Sequence, residues 1–216
     1  MYCCSCIGTD NDIDTAIKKA TFLYIEVIPN HMNRQISDKN MLSDFCLKFC
    51  RILEKYTDYI IVSGFVAIAS GRIRGTEDID MIIRPVDERK FISMHNDLKK
   101  NGFTAMQSDD TKELYDYLKG KLSLRYTLKN NPLPEMEVKF SKDALDEYQF
   151  ATRMKLPLTG LDIWFSSVNM NIAFKEELLK SPKDMEDARH LRIIYSENIH
   201  EDEIRKIKKM IKRYRL

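Results

Sequence analysis

The sequence predicts an α+β fold, in which a small sheet is flanked by helices and the carboxy-terminal part of the chain is α-helical. Four short runs have the composition or the alternation of strands: 59–62, 77–83, 121–127 and 135–140. Amphipathic helical segments surround these runs, and the chain becomes helical after the turn residues at 157–160. A chain of 216 residues can bury one substantial core with a small helical appendage. We therefore assign the core, with the amino-terminal helices, to residues 1–160 and a helical subdomain to residues 161–216.

Composition and charge are those of an ordinary globular protein, with 44% hydrophobic residues and a formal net charge of +2. No apolar run approaches the ~20 residues of a membrane span, and the amino terminus lacks the features of a secretion signal. A cytoplasmic location is therefore expected, with the five cysteines present as reduced thiols. Cys46 and Cys50 border an apolar helical stripe, where a buried thiol is ordinary. A metal site that joins them to Cys3, Cys4 and Cys6 matches no usual zinc spacing.

The remaining elements follow from local signals. Helices are predicted over 11–29 (with weak periodicity), 38–56, 87–100 and 109–117. The third of these ends at Asn101-Gly102, a pair typical of helix C-caps. Asn130-Asn131-Pro132 indicates the turn between the last two strands. His95 lies between Phe91 and Leu98 on one helical face and is predicted to be packed in the core.

A tight turn and a basic loop follow the first strand. Residues 59–62 are β-branched or aromatic and end at Ser63-Gly64, after which small and apolar residues predict a short helix. Glycines then bracket the loop 71–75, which contains Arg72 and Arg74. These two side chains either contact a ligand or face solvent.

The strand after this loop contains two aspartates, Asp78 and Asp80, in an otherwise apolar run. Strand side chains alternate, so the two carboxylates point the same way while the intervening residues enter the core: Ile79, Met81 and Ile83. Like charges held side by side repel each other, and a divalent cation removes that cost, so the pair suits magnesium. An Asp-x-Asp pair also occurs on strands by chance. The Ser63-Gly64 turn upstream makes the combined pattern more specific than the pair alone.

This succession resembles the core motif of the DNA polymerase β-like nucleotidyltransferase superfamily. The likeness is greatest to the small prokaryotic branch that includes AbiEii-type toxins and stand-alone nucleotidyltransferases. The residues that match are Ser63, Gly64, Thr76, Asp78 and Asp80. The superfamily usually has Gly-Gly or Gly-Ser at the turn, so the order here is reversed, but either order lets phosphate oxygens approach the helix start. The resemblance spans roughly residues 57–192 and implies a nucleotidyltransferase-like small mixed sheet.

The superfamily site includes a third carboxylate from a neighbouring strand, and Glu137 is the candidate. The strand 135–140 alternates, with Met136, Val138 and Phe140 on one face and the charged residues on the other. Two alternatives stay open: the charged residues form the solvated face of an edge strand, or the third carboxylate is Asp162. The latter is more simply a turn residue after Gly160.

A second likeness lies in the carboxy-terminal third. Ser181-Pro182 is a typical helix start, and the segments around it resemble the family's Lys-bearing helix and the Lys-Asp-x-x-Asp helix after it. The resemblance implies that Lys175 contacts the nucleotide phosphates and that Asp187 orients it, with Lys183 and Asp184 as lesser candidates. The alternative is that Lys175, Lys183 and Asp187 are ordinary surface residues of a charged helix pair.

The implied chemistry is the transfer of a nucleoside monophosphate from an NTP, such as ATP, to an acceptor hydroxyl with release of pyrophosphate. The resemblance implies two Mg²⁺ ions held by Asp78, Asp80 and Glu137. It also implies that Ser63 and Gly64 bind the β- and γ-phosphates, with Lys175 as a point charge.

The last helix gives the only indication of the acceptor. Seven basic residues surround an apolar stripe over 205–215, an arrangement that suits an RNA phosphate backbone and is equally typical of a solvated helix end. Two other classes of protein share the same motifs. One is a catalytically silent nucleotide- or RNA-binding module, and the other is a toxin-type protein controlled by an antitoxin-type partner chain.

Overall fold

The computed structural model describes the backbone of residues 30–216 and the side chains of residues 41–216, of which Lys39–Leu216 form one compact unit. The helix predicted over 11–29 and the cysteines Cys3, Cys4 and Cys6 lie outside the described residues. None of the described helices has the length and apolar character required to cross a membrane.

The described elements include the strands and helices predicted after residue 38, together with a strand, Phe103–Ala105, and a helix, Ala144–Ala151, that were not predicted. The α-helices are α1 (Asn30–Leu53), α2 (Gly64–Ala69), α3 (Glu88–Lys100), α4 (Thr111–Lys119), α5 (Ala144–Ala151), α6 (Val168–Phe174), α7 (Pro182–Ile194) and α8 (Glu201–Tyr214). A π-helical turn, Lys175–Leu179, continues α6, and short 3₁₀ turns occur at Pro157–Thr159 and Ser196–Asn198. The strands are β1 (Tyr59–Val62), β2 (Asp78–Ile83), β3 (Phe103–Ala105), β4 (Leu124–Leu128) and β5 (Asn131–Phe140).

The five strands form one mixed sheet in the order β1-β2-β5-β4-β3. β2 and β5 are parallel, and the other neighbouring pairs are antiparallel. β5 is therefore a central strand, so the alternative in which the charged face of 135–140 belongs to an edge strand is wrong. The register places Asp80 opposite Val62 on β1 and Glu137 on β5, and Asp78 opposite Glu135. Residues opposite one another share a face of the sheet, so the three predicted acids share one face.

The turn before β5 differs from the predicted one. It occupies Lys129 and Asn130, with Asn130 in the left-handed region at φ 66°, whereas Asn131 and Pro132 already belong to the strand. The β4–β5 register shifts between Tyr126 and Leu128, where the ladder is irregular. Proline lacks an amide donor and is tolerated at such irregular positions, so Pro132 does not end the strand.

The core lies on one face of the sheet. Ile79, Met81 and Ile83 are fully buried there, as predicted, and they belong to one hydrophobic cluster with residues of α6, α7 and α8. His95 is packed in this core and hydrogen-bonds Tyr126 at 3.0 Å. Cys46 and Cys50 are buried free thiols in α1, also as predicted. The opposite face has a smaller cluster formed by Ile60, Ile82 and Phe150.

The chain returns along the free edge of β1 before it enters α6. The Ile61 N–H donates to the Trp164 carbonyl, and the Ser166 N–H donates to the Ile61 carbonyl, both at 2.9 Å. Ser167 then caps α6 by accepting from the Met170 N–H. This connection ties the start of the carboxy-terminal helices to the strand that leads into the Ser63 turn.

Candidate functional site

The turn between β1 and α2 is built from a residue in an uncommon backbone conformation. Ser63 has φ 65° and ψ −136°, a region that non-glycine residues rarely adopt and that is found mainly where function requires it. The next residue, Gly64, begins α2, and the Arg74 guanidinium occupies the space where its side chain would lie. A Cβ there would lie 2.1 Å from the Arg74 Nη2 atom.

Asp80 is the most buried of the three predicted acids. Burial is the main influence that raises the pKa of its carboxyl above the ordinary value; the charges of Glu137 and Asp78 add to the rise, and Lys139 and a hydrogen bond from Ser63 oppose it. Asp78, at the exposed start of β2, accepts a hydrogen bond of 2.8 Å from the Thr76 hydroxyl. The strand register places Glu137 opposite Asp80, and Asp78 lies two residues before Asp80 on the same strand, so the three acids occupy one face of the sheet.

Glu137 is engaged by two cations in this structure. Its Oε1 atom lies 2.9 Å from Lys139 Nζ, and its Oε2 atom lies 3.4 Å from Arg125 Nη2. Burial works to raise the pKa of this carboxyl, but the hydrogen bond and charge of Lys139, with the charge of Arg125, lower it overall. Glu137 is therefore an ionised carboxylate, and it can bind another cation only if its contacts with Lys139 and Arg125 are exchanged.

Asp162, the competing third acid, lies in the loop after Gly160. Its side chain is 95% exposed and pairs with Lys155 at 2.9 Å. It is not among the residues that line the pocket described below.

Lys175 and Asp187 are core residues, so the alternative in which they are ordinary surface charges is wrong. Their side chains are 1% and 0% exposed, and Lys175 Nζ lies 2.8 Å from Asp187 Oδ2. Asp184 is a second partner of Lys175, at 3.4 Å. Lys183, on the same helix, is exposed.

The loop arginines lie against this pair, and neither faces open solvent. Arg72 Nε lies 2.7 Å from Asp187 Oδ1, and Arg74 Nη2 lies 3.1 Å from Asp187 Oδ2. Arg72 also pairs with Glu186. The Nε atom of Arg74 is buried and has no hydrogen-bond partner among the described residues. Three cations thus share the one buried carboxylate of Asp187.

A pocket of about 270 Å³ joins the sheet to the carboxy-terminal helices. Ser63 and Asp80 line it from the sheet side, and Lys175 lines it from the helices. Apolar side chains form part of the wall: Val62, Ile82, Phe140, Met170, Phe174, Leu178 and Leu179. The remaining lining residues are polar or charged: Lys121, Lys139, Lys142, Asp146, Gln149, Asn171 and Arg215. Cations outnumber carboxylates in this lining, so the pocket suits an anion that also has an apolar part.

Asp146 and Arg215 are lining residues that sequence reasoning missed. Arg215 Nη2 lies 2.6 Å from Asp146 Oδ1, and Arg215 also pairs with Asp143. Burial raises the pKa of the Asp146 carboxyl, although the Lys142 N–H and Arg215 partly offset the rise. An acid in the first turn of a helix is common for helix stability alone, so the sequence held no signal for this position.

The basic face of α8 is largely matched by acids of the same chain. Lys208 lies 2.7 Å from Glu176 and Lys212 lies 3.6 Å from Glu177, both on the π-helical turn that contains Lys175. The apolar stripe packs inward as predicted, with Ile204, Ile207 and Ile211 buried. The outward positions Lys209 and Arg213 are exposed.

The donor chemistry of this site fits a divalent cation. Asp78 and Asp80 offer hard carboxylate oxygens on one strand face, as Mg²⁺ requires, and a cation beside them relieves their mutual repulsion. Glu137 can join them only by exchanging its contacts with Lys139 and Arg125. Within residues 41–216, no three His, Cys, Asp or Glu side chains are grouped closely enough to hold an ion.

Comparison with known proteins supports the fold. No protein-family model matches the sequence. No curated protein matches it either. The solution structure of the antibiotic-resistance factor ANT(2'')-Ia matches 81% of this chain and 92% of its own, with a TM-score of 0.50 and 12% identity. The crystal structure of ANT(2'')-Ia with adenylyl-2''-tobramycin matches 80% of this chain and 97% of its own, with a TM-score of 0.48 and 14% identity.

A further match is an antigenic nucleotidyltransferase-like protein from Paracoccidioides brasiliensis, with 21% identity, 73% of this chain and 75% of its own covered, and a TM-score of 0.47. The match to the solution structure, together with the mixed sheet and its flanking helices, confirms the predicted α+β, nucleotidyltransferase-like fold. The assignment to the AbiEii-type branch stays a prediction.

Proposed function

We propose that this protein is a metal-dependent nucleotidyltransferase, which transfers a nucleoside monophosphate from an NTP to a hydroxyl acceptor. The observation that most supports this proposal is the set of residues that line the pocket. Ser63, Asp80 and Lys175 come from distant parts of the chain, yet all three line the same pocket. Lys175 is buried and opens onto the pocket that Asp80 lines, and a basic side chain and a carboxylate that line one pocket are typical of a ligand-binding site.

The turn and Lys175 are proposed to hold the phosphates. In this proposal the turn at Ser63 directs backbone N–H groups at the start of α2, which no side chain caps, towards the phosphate oxygens. Lys175 adds a positive charge from the opposite wall. The apolar part of the wall, with Phe174 and Leu178, is proposed to accept the base.

Asp78 and Asp80 are proposed to hold the Mg²⁺ ions, with Glu137 as the third carboxylate. Bound magnesium supplies neutralisation of the charge that develops on the phosphate oxygens. The role of Asp80 is to fix that charge near the start of β2, where it lies opposite Val62 and lines the pocket together with Ser63. Once freed from Lys139, Glu137 is the carboxylate available to favour ionisation of the acceptor hydroxyl.

We propose RNA as the acceptor to be tested first, and a small molecule or a protein as the alternative. The support for RNA is the exposed basic surface of α8, although Lys208 and Lys212 have acidic partners in the same chain. The direct test is incubation with each α-labelled NTP, Mg²⁺ and total cellular RNA. Labelled RNA from one NTP is the expected result. If the label appears only in a small molecule or a protein, the RNA part of the proposal is wrong. If no fraction, including total cell extract, becomes covalently labelled, the whole proposal is wrong.

Two matched double variants separate RNA binding by α8 from support of the pocket. If RNA contacts the exposed face, Lys209→Gln with Arg213→Gln should lower RNA affinity and reduce its log–log salt slope by roughly 0.7–0.9 per lost contact. Lys208→Gln with Lys212→Gln should instead raise the NTP KM by about two- to fivefold, because these pairs support the turn that contains Lys175 and each contributes up to about 1 kcal/mol. RNA filter binding and NTP kinetics on both variants provide the comparison. Unchanged RNA slopes in the first variant would remove α8 from RNA binding.

A catalytically silent nucleotide-binding module is the second candidate. It is favoured by one observation: both oxygens of Glu137 are occupied by Lys139 and Arg125. Such a module binds NTP in the pocket and leaves it intact. Control by an antitoxin-type partner chain, and the division into residues 1–160 and 161–216, stay predictions.

A further inference from the structure

The carboxylate of Asp187 has more cationic partners than it needs. It is fully buried, and its two oxygens receive Lys175 Nζ at 2.8 Å, Arg72 Nε at 2.7 Å and Arg74 Nη2 at 3.1 Å. A buried carboxylate that loses its only cationic partner strongly destabilises the folded protein. If Lys175 were the only partner of Asp187, its movement towards a ligand would leave that carboxylate unpaired. Because Arg72 and Arg74 also pair with Asp187, the carboxylate stays paired when Lys175 moves.

The two arginines are held independently of Lys175. Arg72 has a second partner in Glu186. The Arg74 guanidinium lies against Gly64, and its Nη1 atom donates to the Gly75 carbonyl at 3.4 Å. Its buried Nε atom has no hydrogen-bond partner among the described residues. Neither arginine is among the residues that line the pocket, whereas Lys175 is.

We infer that Arg72 and Arg74 are positioning residues that hold Asp187 so that Lys175 can leave it for a polyphosphate in the pocket. The inference rests on the proposed function, because it takes a polyphosphate as the ligand of Lys175. Arg74 also connects the Ser63-Gly64 turn with the helix that contains Asp187, since it lies against Gly64 and pairs with Asp187. Without Arg74, Lys175 becomes the only partner of Asp187 Oδ2 and is retained there.

The test is calorimetric titration of inorganic tripolyphosphate, without added metal, into the full-length protein and four variants. Lys175→Gln should weaken binding by roughly ten- to hundredfold, the range for a hydrogen bond to a charged group. Arg74→Gln should weaken it by a similar factor, although Arg74 does not line the pocket. Lys175→Gln with Arg74→Gln should bind no more weakly than Lys175→Gln alone, because Arg74 acts through Lys175. Arg74→Lys, which keeps a charge on Asp187, should recover most of the affinity.

Three results would overturn the inference: wild-type affinity in Arg74→Gln, multiplied losses in the double variant, or equal losses in Arg74→Lys and Arg74→Gln. Should Arg74→Gln fail to fold, Arg72→Gln, which removes the partner of the other Asp187 oxygen, replaces it: it should weaken binding in the wild-type background and cause no further loss in Lys175→Gln, and either wild-type affinity or multiplied losses would overturn the inference. Tripolyphosphate binding does not require transfer. If the wild type binds tripolyphosphate with the expected variant pattern but transfers no nucleotide, only the proposed function fails. If the wild type transfers nucleotides but Arg74→Gln binds tripolyphosphate with wild-type affinity, only this inference fails.

Discussion

Replacing Asp80 by alanine is expected to abolish nucleotide transfer while the protein stays folded. If Asp80 is a metal ligand, its loss removes several kcal/mol of transition-state stabilisation, which corresponds to a rate reduction of about a thousandfold or more. In the absence of metal the variant should melt at the same temperature as the wild type or higher, because a largely buried carboxylate beside Glu137 and Asp78 has been removed. Labelled-nucleotide transfer and thermal unfolding without metal are the two measurements.

Asp162→Ala is the matched control for this experiment. It removes an aspartate that is 95% exposed and was the competing third acid in the sequence. Its transfer rate should equal that of the wild type. Transfer by Asp80→Ala near the wild-type rate, or loss of transfer in Asp162→Ala, would contradict the assignment of the site to the sheet edge.

Replacing Asp187 by alanine is expected to lower the free energy of unfolding by about 3–5 kcal/mol, the usual effect of removing one partner from a buried ion pair. The loss leaves the buried Lys175 with Asp184 as its remaining acidic partner and deprives Arg74 of its ion pair. The π-helical turn and the loop 71–75 therefore lose their shared anchor. Urea unfolding followed by circular dichroism measures the difference.

Glu186→Ala provides the control on the same helix. Glu186 pairs with the same Arg72, but its side chain is 56% exposed, so its loss should cost no more than about 1 kcal/mol. Equal destabilisation by the two variants would show that burial of Asp187 has no special role in stability.

Much of the fold was predictable because local patterns and long-range packing agree in this chain. The apolar residues of β2 alternate with its aspartates and are fully buried. Ser181 caps α7 by accepting from the Asp184 N–H, with Pro182 in the first turn, as the pair predicts. The predicted start of β5 was wrong, because the turn signal at Asn131-Pro132 carries no information about pairing with β4. That pairing is irregular between Tyr126 and Leu128, and the strand begins at Asn131 despite the proline.

The site was predictable only in part. Strand alternation puts Asp78 and Asp80 on one face, and the register then sets Glu137 beside Asp80. One ion pair of Glu137 is with Arg125 on the neighbouring strand β4. It could not be predicted, because local sequence does not show which strands pair. The same limit applies to Arg72 and Arg74, which looked like loop charges and are bound to Asp187 more than a hundred positions away. The limit also applies to the acidic partners of Lys208 and Lys212, because Glu176 and Glu177 lie on the π-helical turn and not along α8.

The most direct test of the central claim follows the fate of two labels on one nucleotide. The preferred NTP is supplied labelled at the α-phosphate or at the γ-phosphate, with Mg²⁺ and the acceptor fraction, to the wild type and to Asp80→Ala. The account predicts that the α-label becomes covalently attached to the acceptor, that the γ-label is released as pyrophosphate, and that the variant does neither. Transfer of the γ-label to the acceptor, its release as inorganic phosphate, or equal reaction in the variant would contradict it.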